Sequence, residues 1–116
     1  MPISATDAIY EWTTALDPME LMSFTFSWAN ELSATGASIA SDSWALSSAA
    51  SAAGVEIDQQ TNDTNTSTVW LKVNGANQSD AGFDAPTGTA FTIKITMTDT
   101  AGRTYERTVK FTVVQQ

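Results

Sequence analysis

Residues 89–113 read TAFTIKITMTDTAGRTYERTVKFTV, and the alternation in this stretch decides the fold class. From Phe91 the apolar side chains fall on every second position: Phe91, Ile93, Ile95 and Met97. After the turn Asp99-Thr100-Ala101-Gly102-Arg103 the same parity resumes with Tyr105, Val109, Phe111 and Val113. Successive side chains of a strand point to opposite faces, so this is a β-hairpin with one apolar and one wet face. The wet face is rich in threonine, whose branched side chain suits a solvated pleated surface. Gly102 supplies the positive φ that a hairpin loop of this length requires and leaves Arg103 projecting from the tip. Arg107 falls on the apolar parity of the last strand. That places it near the end of the sheet, paired with a carboxylate or carrying its head out to water.

Working outward, the same alternation recurs in Leu21–Trp28, where Met22, Phe24, Phe26 and Trp28 share one face. Ser38–Leu46, Val55–Gln59 and Thr68–Val73 read as further strands, the last with Trp70 opposite in parity to Val69, Leu71 and Val73. Ala29–Leu32 reads as a helical turn or a bend, and the Ser/Ala-rich run Ser47–Ala53 as a loop closed by Gly54. Gln60–Ser67 is a polar surface turn, and Ala76–Gly88 a longer loop holding one isolated aromatic, Phe83. At least six short strands separated by polar turns predict an all-β antiparallel sandwich over residues 20–116. Residues 1–19 lack that patterning and read as an extended N-terminal arm ending at Asp17-Pro18. Tyr10 and Trp12, two apart, share one face of it. They pack either on a neighbouring chain or back onto the domain itself.

The chain has 116 residues, which suits one domain with one core. It contains neither cysteine nor histidine, which removes disulfides, thiolate nucleophiles, imidazole acid–base chemistry and most zinc or iron sites. No apolar run approaches the ~20 residues of a membrane helix, and the N-terminus lacks a signal-peptide layout, so a cytoplasmically made chain with no membrane partner is expected. The net charge is −8, and residues 1–71 hold no Lys or Arg at all. Such a balance favours solubility and opposes nucleic-acid binding. The acidic stretch either solvates the surface or docks on a basic partner.

Chemistry finds little purchase. Gly36-Ala37-Ser38-Ile39-Ala40 fails the nucleophile-elbow pattern at its last residue, and no phosphate loop, dinucleotide fingerprint or calcium-loop spacing occurs. The carboxylates are scattered over loops. Asp58 with Asp63, or Asp80 with Asp84, are the pairs to consider for calcium, and plain turn carboxylates are the better account. Asn-x-Ser/Thr matches at Asn62, Asn65 and Asn77 are expected by chance in so Asn-, Ser- and Thr-rich a chain. The expectation is a non-enzymatic protein without a cofactor or metal. Trp28 and Trp44 read as core or rim packing. Trp70, off the apolar face of its strand, is the best candidate for an exposed or interface ring. Tyr10, Trp12, Trp70 and Arg103 are therefore the candidate partner-binding residues.

Several phrases resemble the fiber-tail adaptor proteins of tailed bacteriophages. They are Asp17-Pro18; Phe26-Ser27-Trp28 with Leu32; Ile39-Ala40-Ser41-Asp42-Ser43-Trp44; Ser67-Thr68-Val69-Trp70-Leu71; and Thr100-Ala101-Gly102-Arg103-Thr104-Tyr105-Glu106-Arg107-Thr108. They occur in the family's order over residues 17–113. Ser27 stands where the family has Asp, and the compact Gly-Gly turn is replaced by Asn74-Gly75 and an insertion to Gly88. The resemblance implies an immunoglobulin-like sandwich in the virion, at the tail or neck. There it would link a receptor-binding fibre to the particle through contacts with other virion proteins, in several symmetric copies. A capsid decoration (cement) protein would use the same sandwich and arm. A carbohydrate-binding β-sandwich module would instead display coplanar exposed aromatics.

Overall fold

The computed structural model describes residues 10–33 and 35–115. Residues 1–9 of the expected arm lie outside them. Among the described residues, seven strands form two sheets. In chain order they are β1 (Tyr10–Glu11), β2 (Met22–Ser27), β3 (Ile39–Leu46), β4 (Val55–Asn62), β5 (Thr66–Val73), β6 (Thr89–Asp99) and β7 (Thr104–Val113). One sheet has the order β1-β7-β6-β3, the other β2-β5-β4. The chain changes sheet after β1, β2, β3 and β5, and stays within a sheet through the two hairpins β4–β5 and β6–β7. The result is an all-β sandwich.

The β6–β7 hairpin has the register its alternation predicts: Phe91 lies opposite Phe111, Ile93 opposite Val109, and Met97 opposite Tyr105. Phe91, Ile93, Ile95, Met97, Val109, Phe111 and Val113 are all buried. Facing them from the other sheet are Phe24, Phe26, Val55, Val69, Leu71 and Val73, and these inner faces together form the core. Burial of one such side chain contributes about 1.5–3 kcal/mol, so the alternation accounts for most of what holds the sheets together.

Two expectations are corrected. Ser47–Ala53 is not a loop: a short helix, α2 (Ser48–Ala52), carries the chain from β3 to β4. The Ser47 hydroxyl accepts the Ala50 N–H at 3.2 Å, Ala50 is fully buried, and Gly54 ends the turn at φ +98°. Capping and one buried methyl outweigh the loop-like composition. Residues 60–67 are mostly strand as well. β4 runs to Asn62 and β5 starts at Thr66, because Asp63 closes the turn, its carboxylate accepting the N–H groups of Asn65 and Thr66 and its own N–H donating to Thr66 O. The isolated Phe83 is buried, edge-on to Phe91, beneath a 3-10 turn at Ala81–Phe83. Ala29–Ser33 forms the helix α1, with Leu32 in the core.

Candidate interaction surfaces

Tyr10 and Trp12 pack on the domain's own body. β1 runs parallel to β7, Tyr10 opposite Val109 and Glu11 opposite Lys110. Further hydrogen bonds join Trp12 N–H to Lys110 O (3.0 Å), Leu16 N–H to Thr112 O (2.8 Å) and Val114 N–H to Leu16 O (3.0 Å). Because the chain next crosses to the other sheet, its rings fall between the two. Trp12 stacks on Phe24 at 4.8 Å, lies 5.8 Å from Trp44, and donates Nε1–H to Thr25 O at 2.8 Å. Tyr10 meets Phe26 edge-on at 4.9 Å. Both rings are half-buried, so each keeps a partial outer surface.

Trp70 lies elsewhere. β5 buries Ser67, Val69, Leu71 and Val73 and turns Thr66, Thr68, Trp70 and Lys72 outward. Trp70 is half-buried on that outer face, between Ser23 of β2 and Gln59 of β4. Its neighbours across the ladder are polar, and none of the ring contacts among the described residues includes it. The coplanar aromatic pair that a sugar platform requires is not built around it.

Arg103 sits at the β6–β7 turn, at one end of the sandwich. Its Nη2 donates to Thr35 Oγ1 at 2.8 Å, its Nε lies 3.4 Å from Asp99 Oδ2, and its guanidinium stands 5.8 Å from the Tyr105 ring. Arg103 therefore joins the hairpin tip to the segment after α1 while remaining exposed. Arg107, on β7, points inward. It pairs with Glu31 of α1 at 3.2 Å, lies over Trp28 and Tyr105 at 5.9 and 5.7 Å, and donates to Glu106 O at 2.9 Å. Of the two readings open for Arg107, pairing with a carboxylate holds, and the partner is supplied within the chain.

Asp99 is the buried charge that shapes this end. It is 1% exposed, and its Oδ1 accepts the N–H groups of Ala101 and Arg103, both at 2.9 Å. The Arg103 N–H, with that of Ala101 and the guanidinium, holds the Asp99 carboxyl below its ordinary 3.8, against the opposing effect of burial. A carboxyl whose folded pKa is depressed stabilises the fold above its unfolded pKa, and that stability is lost as pH falls through the folded value. Thermal midpoints measured from neutral pH downward should therefore decline once pH drops below about 4. Asp99→Asn should be less stable at neutral pH and show a shallower acid decline. Identical profiles for the two proteins would show that the carboxylate has no such role.

Several of the other acids close turns or pair on the surface. Asp58 pairs with Lys72 at 3.6 Å, Asp63 closes its turn, and Asp80 accepts from Asn77 Nδ2 at 2.8 Å. Among the described residues no group of three or more His, Cys, Asp or Glu could hold a metal ion. No helix among them is long and apolar enough to cross a membrane.

The structure thus separates the four candidates into a lateral seam (Tyr10 and Trp12), a sheet face (Trp70) and a hairpin tip (Arg103). It also shows a feature that sequence reasoning passed over, the turn before β2. There Met19 and Leu21 are 62% and 49% exposed. The signal was present: Leu21 falls on the wet parity of Ser23, Thr25 and Ser27.

A family model described as podophage GP4 fiber-tail adaptor protein gp77 matches residues 16–112. Among curated proteins, none matches the chain.

Proposed function

We propose that this chain, which belongs to the podophage fiber-tail adaptor family through residues 16–112, is a non-catalytic adaptor joining a receptor-binding fibre to the tail or neck. The family makes it a virion component with tail and fibre proteins as its partners. The observation that carries the reading is the span of the match, which runs from the buried Leu16 to Thr112 and takes in both sheets. Most of the residues in the resembling phrases serve architecture. Trp28 and Trp44 are core, Leu32 holds α1 on the sandwich, and Gly102 lies in the hairpin turn, its N–H bonded to Asp99 O. Residues of this kind hold a shape, and a fixed shape suits a connector.

The sheet order supports an immunoglobulin-like arrangement. β2-β5-β4 and β7-β6-β3 correspond to the B-E-D and G-F-C groupings of that fold, with β1 added beside β7. Partner contacts then fall to exposed surface, with Trp70 on its sheet face and Arg103 at the hairpin tip as anchors, and the outer edges of Tyr10 and Trp12 contributing at the seam. Several symmetric copies around the tail axis, no nucleic-acid contact, and synthesis in the host cytoplasm complete the proposal. The net charge of −8 supports the second of these.

Imaging of intact particles, with a label fused to this chain, gives a direct check. Label density at the junction of tail and fibre, repeated about the tail axis, is the expected result. Label spread over the capsid lattice would instead make the chain a decoration protein, and its absence from particles would end the adaptor reading.

A further inference from the structure

We propose that the Pro18–Leu21 corner is the surface on which a partner protein docks, and that this partner offers an apolar socket rimmed by lysine or arginine. The inference rests on the adaptor reading only in taking the partner to be another virion protein. Met19 and Leu21 are the large hydrophobic side chains left exposed among the described residues, at 62% and 49%. They flank Glu20 in the sequence, at the turn that leads into β2. Isolated exposed apolar residues are ordinary on a protein surface, but here the neighbouring surface is apolar too. A groove beside the turn is lined by Ala15, Met22 and Val114 together with Thr13, Thr14, Asp17 and Glu20. In the other direction, on the outer sheet face, Trp70 lies opposite Ser23, two residues past Leu21.

The turn is rigid, which lowers the ordering cost of docking. Leu16, Asp17 and Pro18 at its base are buried. Asp17 Oδ1 accepts the Met19 N–H at 2.9 Å, and Asp17 O accepts the Glu20 N–H at 2.9 Å. Two apolar side chains are thus presented on a fixed frame.

The charge around them selects the partner. The charged residues lining the groove are Asp17 and Glu20, both acids. Among the described residues no Lys or Arg lies within ion-pairing distance of either. Lys72, next to the Met22–Leu71 pair on the adjoining strand, is already held by Asp58 at 3.6 Å. The field left at this corner is negative, and complementary charge on a partner would steer encounter and fix register.

Methionine oxidation reads the surface directly, because a thioether reacts only where peroxide reaches it. Met97, fully buried, serves as the unreactive reference. In the free chain Met19 should oxidise readily. In assembled particles its oxidation should slow by about tenfold or more, as expected for a buried anchor. The Met19→Ser/Leu21→Ser variant should keep the wild-type thermal midpoint, since both side chains are exposed, yet enter particles roughly tenfold less well. Glu20→Lys should weaken incorporation further at low salt than at high salt. Equal Met19 oxidation in particle and free chain, or normal incorporation of the folded double variant, overturns the proposal while leaving the adaptor role intact. Absence of the wild-type chain from particles overturns the adaptor reading, and this proposal with it. Protection of Met19 in a free chain that sediments as a dimer assigns the corner to self-association and overturns the basic partner.

Discussion

Replacing Trp28 with alanine should destabilise the domain by about 3–5 kcal/mol, the cost of deleting a large aromatic from a packed core. Trp28 has no exposed surface. Its ring meets Phe26 edge-on at 4.7 Å and lies 6.2 Å from Tyr105, with the Arg107 guanidinium at 5.9 Å. Its indole N–H donates to Ser67 Oγ at 3.0 Å, and Ser67 is fully buried on β5. Its backbone N–H reaches Asn65 O at 2.8 Å and its carbonyl accepts from Leu32 at 2.9 Å, so the residue also fixes where α1 begins. Trp28→Phe separates the contributions: it retains most of the packing but leaves the Ser67 hydroxyl without its donor, at about 1–3 kcal/mol. Denaturant titrations should show both variants with lower midpoints and an unchanged m-value. An alanine variant within ~0.5 kcal/mol of wild type would contradict the packing described, since only surface positions tolerate change so well.

The same residue shows how the sequence could be read and where it could not. Trp28 closes a period-two pattern in Leu21–Trp28, and β2 with its buried Phe24 and Phe26 follows that pattern. The register of β6 with β7 was equally legible, because a one-residue slip would turn every apolar side chain to water. Gly102 takes the expected positive φ, at +88°. The partners of Trp28 were not legible. Ser67 and Arg107 reach it from other strands, and Glu31 meets Arg107 only because α1 folds over the end of the sandwich. Such contacts are set by how the sheets stack, which no local pattern encodes.

Helix α2 shows a different limit. Its five residues carry no hydrophobic stripe, and its formation turns on a Ser47 cap and the burial of one alanine. The candidate surface residues divide along the same line. The outward parity of Trp70 follows from alternation within β5 and was read directly. Whether Tyr10 and Trp12 face a neighbour or their own domain depended on a parallel pairing with the last strand. Two residues of strand offer no periodicity from which to infer that pairing.

That pairing leads to the second large effect. Deleting residues 1–16 should cost on the order of 5 kcal/mol, comparable to the entire stability of many single domains. The deletion removes Leu16, which has no exposed surface and whose backbone bonds Thr112 and Val114. Loss of a buried leucine alone is worth about 2–5 kcal/mol. Trp12 goes as well, with its stack on Phe24, its contacts to Trp44 and Phe111, and its hydrogen bond to Thr25 O. These losses share neighbours and will not add fully. They nevertheless open the seam between the sheets and leave the outer edge of β7 unpaired beside β6, a form prone to edge-to-edge association. The truncated chain should unfold at a much lower denaturant midpoint or recover mainly as aggregate. Addition of a peptide spanning residues 1–19 should restore part of the loss, because the missing strand binds only the folded state. A truncated chain with the wild-type midpoint would show that the seam closes without β1. Failure to assemble into particles after this deletion therefore reports folding as much as docking, and the exposed pair Met19 and Leu21 gives the cleaner probe of the interface.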